Sequence, residues 1–455
     1  MTRDWPVDAL RGYAVAAVVL GHWLVTGLVL TDDGSLGQAS PLAAMPALAP
    51  ATWVLQALGL FYFTAGYASA RSAARYRGGQ GRWLARRLRR LVLPAVALLG
   101  SGAGVLLAAT VAGVPDRTLA VALTLAVSPL WFLLPLCALV ALTGPLRAAV
   151  RRWGPWWCVV PAVAAVAGAD LADRLLPAVG GLLPVRLLAA WAVPYLLGLA
   201  YADRRLTGRR PAAALAACGV GTVAALISAR YPASAVGVPG AAMSNLNPPS
   251  LFAVGLAVTQ IGLGLLARPV LLRLARRPRP ARAVEVVNRY ALRIYLCHQP
   301  VLVGVTALAA HVGGALPGLH TAPDGPRWLL ARAAWLPLLA LVLAALVHRR
   351  SVGPAASTRP GGRRRSVDPA TSTSPGGSRH AAGPATPTSP GGSRRTPGLA
   401  TSARPVGRPE APAGCEPLSA RVYDVHRSEP RRPQEVIAVR DSDPPSRGRA
   451  DRQPR

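Results

Sequence analysis

Lysine is missing from all 455 residues, so the formal net charge of +32 is carried by arginine alone. Alanine, glycine and proline are abundant beside it, which points to the coding bias of a GC-rich bacterial genome more than to a dedicated basic function. In a soluble chain such a charge would first suggest nucleic acid. The distribution speaks against that partner: the arginines lie mostly between apolar runs of about twenty residues, each long enough to cross a hydrocarbon core of roughly 30 Å. Cysteine is scarce and scattered. Cys137, Cys158, Cys218 and Cys297 fall in or beside apolar runs and Cys415 lies in a polar tail, with no paired spacing for zinc, haem or redox chemistry. They read as small packing residues, and nothing suggests a metal. No secretory signal peptide is evident, because the first hydrophobic run is too long and lacks a cleavage pattern. No period suggests internal repeats within the apolar part.

What is present predicts an all-α, polytopic membrane helix bundle of about ten transmembrane helices. Spans start near Pro6, Pro50, Leu91, Thr118, Trp156, Pro184, Ala212, Ser250, Ala291 and Leu329. The connections after even-numbered spans carry most of the arginine, including Arg71, Arg75, Arg147, Arg204, Arg209 and Arg268. Those after odd-numbered spans carry Asp32, Asp33, Asp116, Asp170, Asp173 and Asp324. Arginine-rich loops stay in the cytoplasm, so a multi-pass inner-membrane protein with both termini cytoplasmic is expected. Residues 1–350 form the membrane domain. Beyond it the composition turns to Pro, Gly, Ser, Thr and Arg, with SPGGSR at Ser374–Arg379 and again at Ser389–Arg394. Such a segment buries too little to order itself, so residues 351–455 read as a disordered cytoplasmic tail. Attraction to anionic lipid headgroups is a generic further role for it.

The first apolar segment, Trp5 to Trp23, contains an arginine and a histidine with ten residues between them. At about 100° and 1.5 Å per residue, eleven helical steps bring His22 to within roughly 20° of the azimuth of Arg11 and about 16 Å further along the axis. Asp8 joins the same face. In lipid, a seam of ionisable groups must face protein or water. A lone membrane histidine is often only a packing residue, Arg11 alone would read as snorkelling and Asp8 as a local ion pair. Together they mark a seam that a linear ligand can touch at both points.

Several stretches, in order along the chain, resemble the integral membrane acyltransferase 3 family. DALRGYAVAAVVLGHW is similar to its first-helix pattern of a basic residue, ten residues, then histidine. FYFTAGY at Phe61–Tyr67, RRLRRLVLP at Arg86–Pro94, WFLLPL at Trp131 and IYLCHQP at Ile294 resemble the motifs that follow, covering roughly the first 350 residues. Thr64-Ala65 stands where many members carry a hydrophobic-Ser pair.

The resemblance implies an O-acyltransferase that moves an acyl group from acyl-CoA to a hydroxyl of an exported glycan, a lipid or a metabolite, within the bilayer and with no bound cofactor. His22 is then the general base, or the site of an acyl-histidine intermediate, and Arg11 orients it or neutralises developing charge. Arg87 and Arg90, one turn apart, clamp the donor's phosphates, although Arg86 and Arg89 fit the same spacing and a positive-inside cluster explains RRLRR as well. Supporting positions are Asp8, Trp131 beside an acyl tunnel, Tyr295, His298 before Pro300, and Asn245 and Asn247 as outer amide donors to the acceptor. Gly66 and Ala65 read as close helix packing. Two alternatives stay open: a lipid-linked glycosyltransferase using Asp32 and Asp33, and a proton-coupled transporter using Asp8, Arg11 and His22.

Overall fold

The structure, a computed structural model, describes residues 4–175 and 183–349. The tail and Cys415 lie outside the described residues. In chain order the helices are α1 (Trp5–Val25), two single turns α2 (Pro41–Ala44) and α3 (Thr52–Leu55), α4 (Leu58–Arg75), α5 (Gln80–Val111), α6 (Asp116–Val127), α7 (Leu133–Ala141) and α8 (Thr143–Trp153). There follow α9 (Pro155–Leu175), α10 (Leu183–Ala202), α11 (Arg209–Ser228), α12 (Leu251–Leu266), α13 (Arg268–Ala275), α14 (Pro278–Gly313) and α15 (Pro326–Arg349). Among the described residues eight helices are long and apolar enough to cross a membrane, and the pair α12–α13, bent by 56°, makes nine. Helix α1, with Asp8, Arg11 and His22 in 21 residues, is the tenth long segment. The architecture is the expected polytopic helix bundle.

Two boundaries differ from the sequence expectation by more than ten residues. Helix α5 begins at Gln80, not near Leu91, and α14 at Pro278, not near Ala291. Arginine is a good helix former and its long stem lets the charge reach water from a helix already at the membrane surface, so the helix outlasts the apolar run. RRLRR is therefore part of the α5 helix and not a connection. The second expected even-span loop segment, with Arg147, Arg151 and Arg152, is likewise the amphipathic helix α8. Asp170 and Asp173 lie on α9, where both pair with the buried Arg186 of α10.

The core is organised around α10, whose residues Val193 to Tyr201 are all buried. It crosses α4 at glycines on both sides: a Cβ on Gly66 would run into the Tyr195 carbonyl, and one on Gly198 into the Phe63 carbonyl. With no hydrophobic force between helices in lipid, such close approach is what van der Waals packing requires. Gly66→Val should therefore push α4 off α10, at an expected cost of about 1–3 kcal/mol or more from overpacking. A drop in the melting temperature of the detergent-solubilised protein, against an unchanged Gly100→Val control whose Cβ would meet nothing within 4 Å, checks it.

The connections gather at two ends. One end collects Arg71 and Arg75 of α4, Arg87 of α5 and arginines of the α10–α11 and α12–α13 turns around the start of α1. The other end is laced by backbone hydrogen bonds. A two-stranded antiparallel hairpin, β1 (Gly27–Leu30) and β2 (Leu36–Ala39), follows α1, where the sequence suggested only a loop. Leu30 N–H donates to His320 O at 2.9 Å and Leu36 N–H to Thr118 Oγ1 at 2.9 Å. The buried Arg332 donates to Thr26 O, which fixes the far end of α1 to α15.

Candidate functional site

Helices α1 and α14 run parallel and meet through two polar rungs. Arg11 Nε donates to Asn288 Oδ1 at 2.7 Å, and Gln299 Nε2 lies 3.3 Å from His22 Nδ1. Both pairs are 277 residues apart in sequence. Eleven residues separate the polar groups on each helix, close to three turns, so one parallel packing serves both rungs. Asn288 also donates to the Asp8 carbonyl at 2.7 Å, and Arg11 Nη2 stands 3.5 Å from Asp8 Oδ1. The arginine is thereby aimed by Asn288 and Asp8, which are themselves tied together.

At the His22 rung the second histidine closes in. The His22 and His298 rings lie 5.0 Å apart at 53°. His298 is fully buried, its Nδ1 is 2.5 Å from the Tyr295 carbonyl, and its own carbonyl accepts from Trp23 Nε1 at 3.0 Å. A carbonyl can only accept, so Nδ1 carries hydrogen and the neutral ring leaves Nε2 as a bare acceptor. That Nε2 is buried and has no hydrogen-bond partner, and neither has Gln299 Oε1. Turning the Gln299 carboxamide over would let Oε1 accept from His22 Nδ1–H, exchanging one unpaired polar atom for another. In that arrangement the basic nitrogen of His22 is Nε2.

Around the pair stands a chain of aromatic rings from separate motifs. Tyr295 lies 5.5 Å from His298, 4.3 Å from Phe132 and 6.3 Å from Phe61, while Tyr62 stacks on Trp191 at 5.0 Å. Trp131 meets Trp191 at 6.1 Å. The fourth span breaks into a short 3-10 turn at Ser128–Phe132. Broken helices leave carbonyls without partners, and in lipid these must be satisfied internally. Tyr295 Oη donates to Pro129 O at 3.1 Å and Tyr62 Oη to Phe132 O at 2.7 Å. Tyr295 thus packs and clamps beside the histidines.

Toward the other end of α1, a cavity of about 400 Å³ is lined by Arg11, Arg71, Arg75 and Arg87 with Asp4 and Asp8. Arg87 Nε is buried with no hydrogen-bond partner. Arg90 is exposed and does not line this cavity. The expected Arg87–Arg90 pair is thus divided, and Arg87 instead faces Arg71 and Arg75 from α4, two residues the sequence showed only as topology signals. Asn288 and Gln299 were missed as well. Their own eleven-residue spacing, a copy of the Arg11–His22 spacing, was the available signal.

Of the polar candidates expected on the outer side, Asn245 and Asp33 are used locally. Asn245 is buried; its Nδ2 donates to Pro232 O at 2.6 Å and Ser234 O at 2.8 Å, and its Oδ1 accepts from Ser250 Oγ at 2.9 Å. Every polar atom of that side chain is occupied by its own loop. Asn247 is exposed. Asp33 sits in the hairpin turn and accepts from Thr31 Oγ1 at 2.5 Å and from Ser35 N–H at 3.0 Å. These bonds, that from Thr31 foremost, hold its carboxyl from 3.8 down to about 2. A depressed carboxyl stabilises the turn above its ordinary range and stops doing so as pH falls through about 2. Asp33→Asn should accordingly speed amide exchange at Ser35 and leave catalytic activity near the parental level; loss of activity with an intact hairpin would contradict the turn-forming role.

Among the described residues no group of three His, Cys, Asp or Glu side chains is placed to hold a metal ion. In comparisons with known proteins, no curated protein and no solved structure matches the chain. One family does: the acyltransferase 3 family, described as an acyltransferase domain, matches residues 5–347, which take in both rungs of the α1–α14 seam, the basic cavity and the aromatic chain. The chain belongs to the acyltransferase 3 family and is a multi-pass membrane acyltransferase.

Proposed function

We propose that the protein transfers an acyl group from acyl-CoA to a hydroxyl of an exported glycan, a lipid or a metabolite, with His22 as general base. The observation that carries this reading is the pairing of His22 with Gln299 on the same α1–α14 seam that aims Arg11 into the arginine-lined cavity. Gln299 Oε1, accepting from Nδ1–H, leaves His22 Nε2 to take the acceptor's hydroxyl proton. The acceptor oxygen then bonds to the thioester carbonyl carbon and the carbon–sulfur bond breaks. The thiolate leaves and recovers the proton from the histidinium, so charge and protons balance over the cycle. A neutral imidazole can take up the hydroxyl proton and return it within one cycle. Arg87, Arg71 and Arg75 hold donor phosphate through guanidinium forks, and Arg11 stands between that anchor and the histidine.

The arginine-rich end faces the cytoplasm in this reading, where acyl-CoA is found, because basic connections are retained there. Cysteine placed at Arg77 or Arg209 in a cysteine-free chain should resist an impermeant thiol reagent in intact cells, and cysteine at Asp33 or Asn247 should react. Labelling at Arg77 would reverse the orientation. The function itself is tested by comparing envelope glycans, lipids and secreted compounds by mass spectrometry with and without the gene. A mass difference of one acyl group is expected; its absence from all three pools, with the protein expressed, would reject the reading.

A further inference from the structure

We propose that a second, larger cavity beside the first binds the 3′-phosphorylated nucleotide end of the donor. The inference rests on the acyl-CoA reading above. This cavity, of about 840 Å³, is lined by Arg71, Arg204, Arg209 and Arg268, with Tyr67 and Tyr201 on its wall and Asp4 as its one carboxylate. It shares Asp4, Tyr67 and Arg71 with the 400 Å³ cavity, so the two adjoin.

Positive-inside arginines need only reach water, and nothing in that role gathers them round a recess. Here two separate turns and the helix α4, with Arg71, contribute. Arg204 follows α10 with a positive φ of 60°, Arg209 opens α11, and Arg268 stands at the 56° bend between α12 and α13. Four guanidinium groups against one carboxylate call for a ligand with more than one negative charge, and planar forks match phosphate oxygens two at a time. Leucines of α12 and α13 and the two tyrosine rings, 5.8 Å apart and inclined at 49°, supply apolar and aromatic surface for a heterocycle. Small-molecule sites run from about 300 to 1,000 Å³, so the first cavity is of a size for one part of a donor with two separated phosphate groups. The first cavity takes the diphosphate at the root of the acyl-bearing arm, and the second takes the ribose 3′-phosphate and the base.

The test uses the full-length protein in vesicles, with acyl-CoA and its 3′-dephospho analogue as alternative donors. For the parental protein, removal of the 3′-phosphate should raise the donor KM about ten- to hundredfold, the value of a charge-assisted contact. Arg268→Ala and Arg204→Ala should each raise the KM for acyl-CoA by a similar factor and change that for the dephospho donor by less than about twofold. Adenosine 3′,5′-bisphosphate should compete with acyl-CoA in the parental protein, and more weakly in either variant. Equal KM changes for both donors, no change for either, or no competition by the bisphosphate would each overturn the proposal; the competition result stands even if a variant fails to fold. If acyl-CoA itself is no donor while an acyl phosphate or an acylated carrier protein is, the underlying reading falls too. Transfer from acyl-CoA without 3′-phosphate discrimination overturns the nucleotide site alone.

Discussion

His22→Ala is expected to lower acyl transfer by about 10² to 10⁴ in turnover while the donor KM stays near its parental value, because general base catalysis acts only on the proton moving in the transition state. The donor's anchor lies in the arginine cavity, about 16 Å away along α1, so removal of the ring leaves binding in place. Gln299→Leu removes the group that selects the ring's tautomer without removing the base. Turnover should fall by less than in His22→Ala, with a changed pH–rate profile and an unchanged donor KM. A merely structural glutamine would alter expression or thermal stability and leave the pH profile alone. Steady-state assays in membranes, with each variant quantified by blot, separate these outcomes.

Arg87→Ala should produce the opposite split, with donor affinity down about ten- to hundredfold and turnover at saturating donor much less affected. A charge-assisted hydrogen bond to phosphate is worth roughly 1.5–3 kcal/mol, which converts to that range. Arg87→Lys should restore only part of it, since an ammonium keeps the charge and loses the fork. The structure divides RRLRR: Arg87 lines the cavity with a buried unpaired Nε, and Arg90 is exposed outside it. Arg90→Ala should therefore change donor affinity far less than Arg87→Ala. Donor titration of the two variants side by side measures the difference. Equal losses would return the clamp to the one-turn spacing that the sequence alone suggested.

The long apolar runs made the helical segments legible, because length and hydropathy decide whether a segment can cross a bilayer. Helix ends were less so: arginines that seemed to belong to loops extend α5 and α14 by more than two turns, since hydropathy marks where lipid ends and not where hydrogen bonding ends. The Arg11–His22 stripe was visible because a 3.6-residue period puts both on one face. Its partner stripe was not. Asn288 and Gln299 are neutral amides on a long helix, and only the parallel register of α14 against α1 turns their spacing into rungs. His298 reads as secondary from Pro300 alone, yet its ring lies 5.0 Å from that of His22. Asp33 shows the reverse case: an acidic pair at a loop tip suggests chemistry, and the hairpin uses its carboxylate to close a turn.

The most direct test of acyl transfer at the His22 seam is a double-label measurement on the purified protein in vesicles. Acyl-CoA carrying a labelled acyl group is supplied at the arginine-rich face, together with a hydroxyl acceptor identified by the mass comparison. Free CoA thiol and alkali-labile labelled ester are counted in the same sample. One thiol per ester is expected, both requiring acceptor and both lost to the same extent in His22→Ala. Normal ester formation by His22→Ala protein, with one thiol still released per ester, would contradict the assignment.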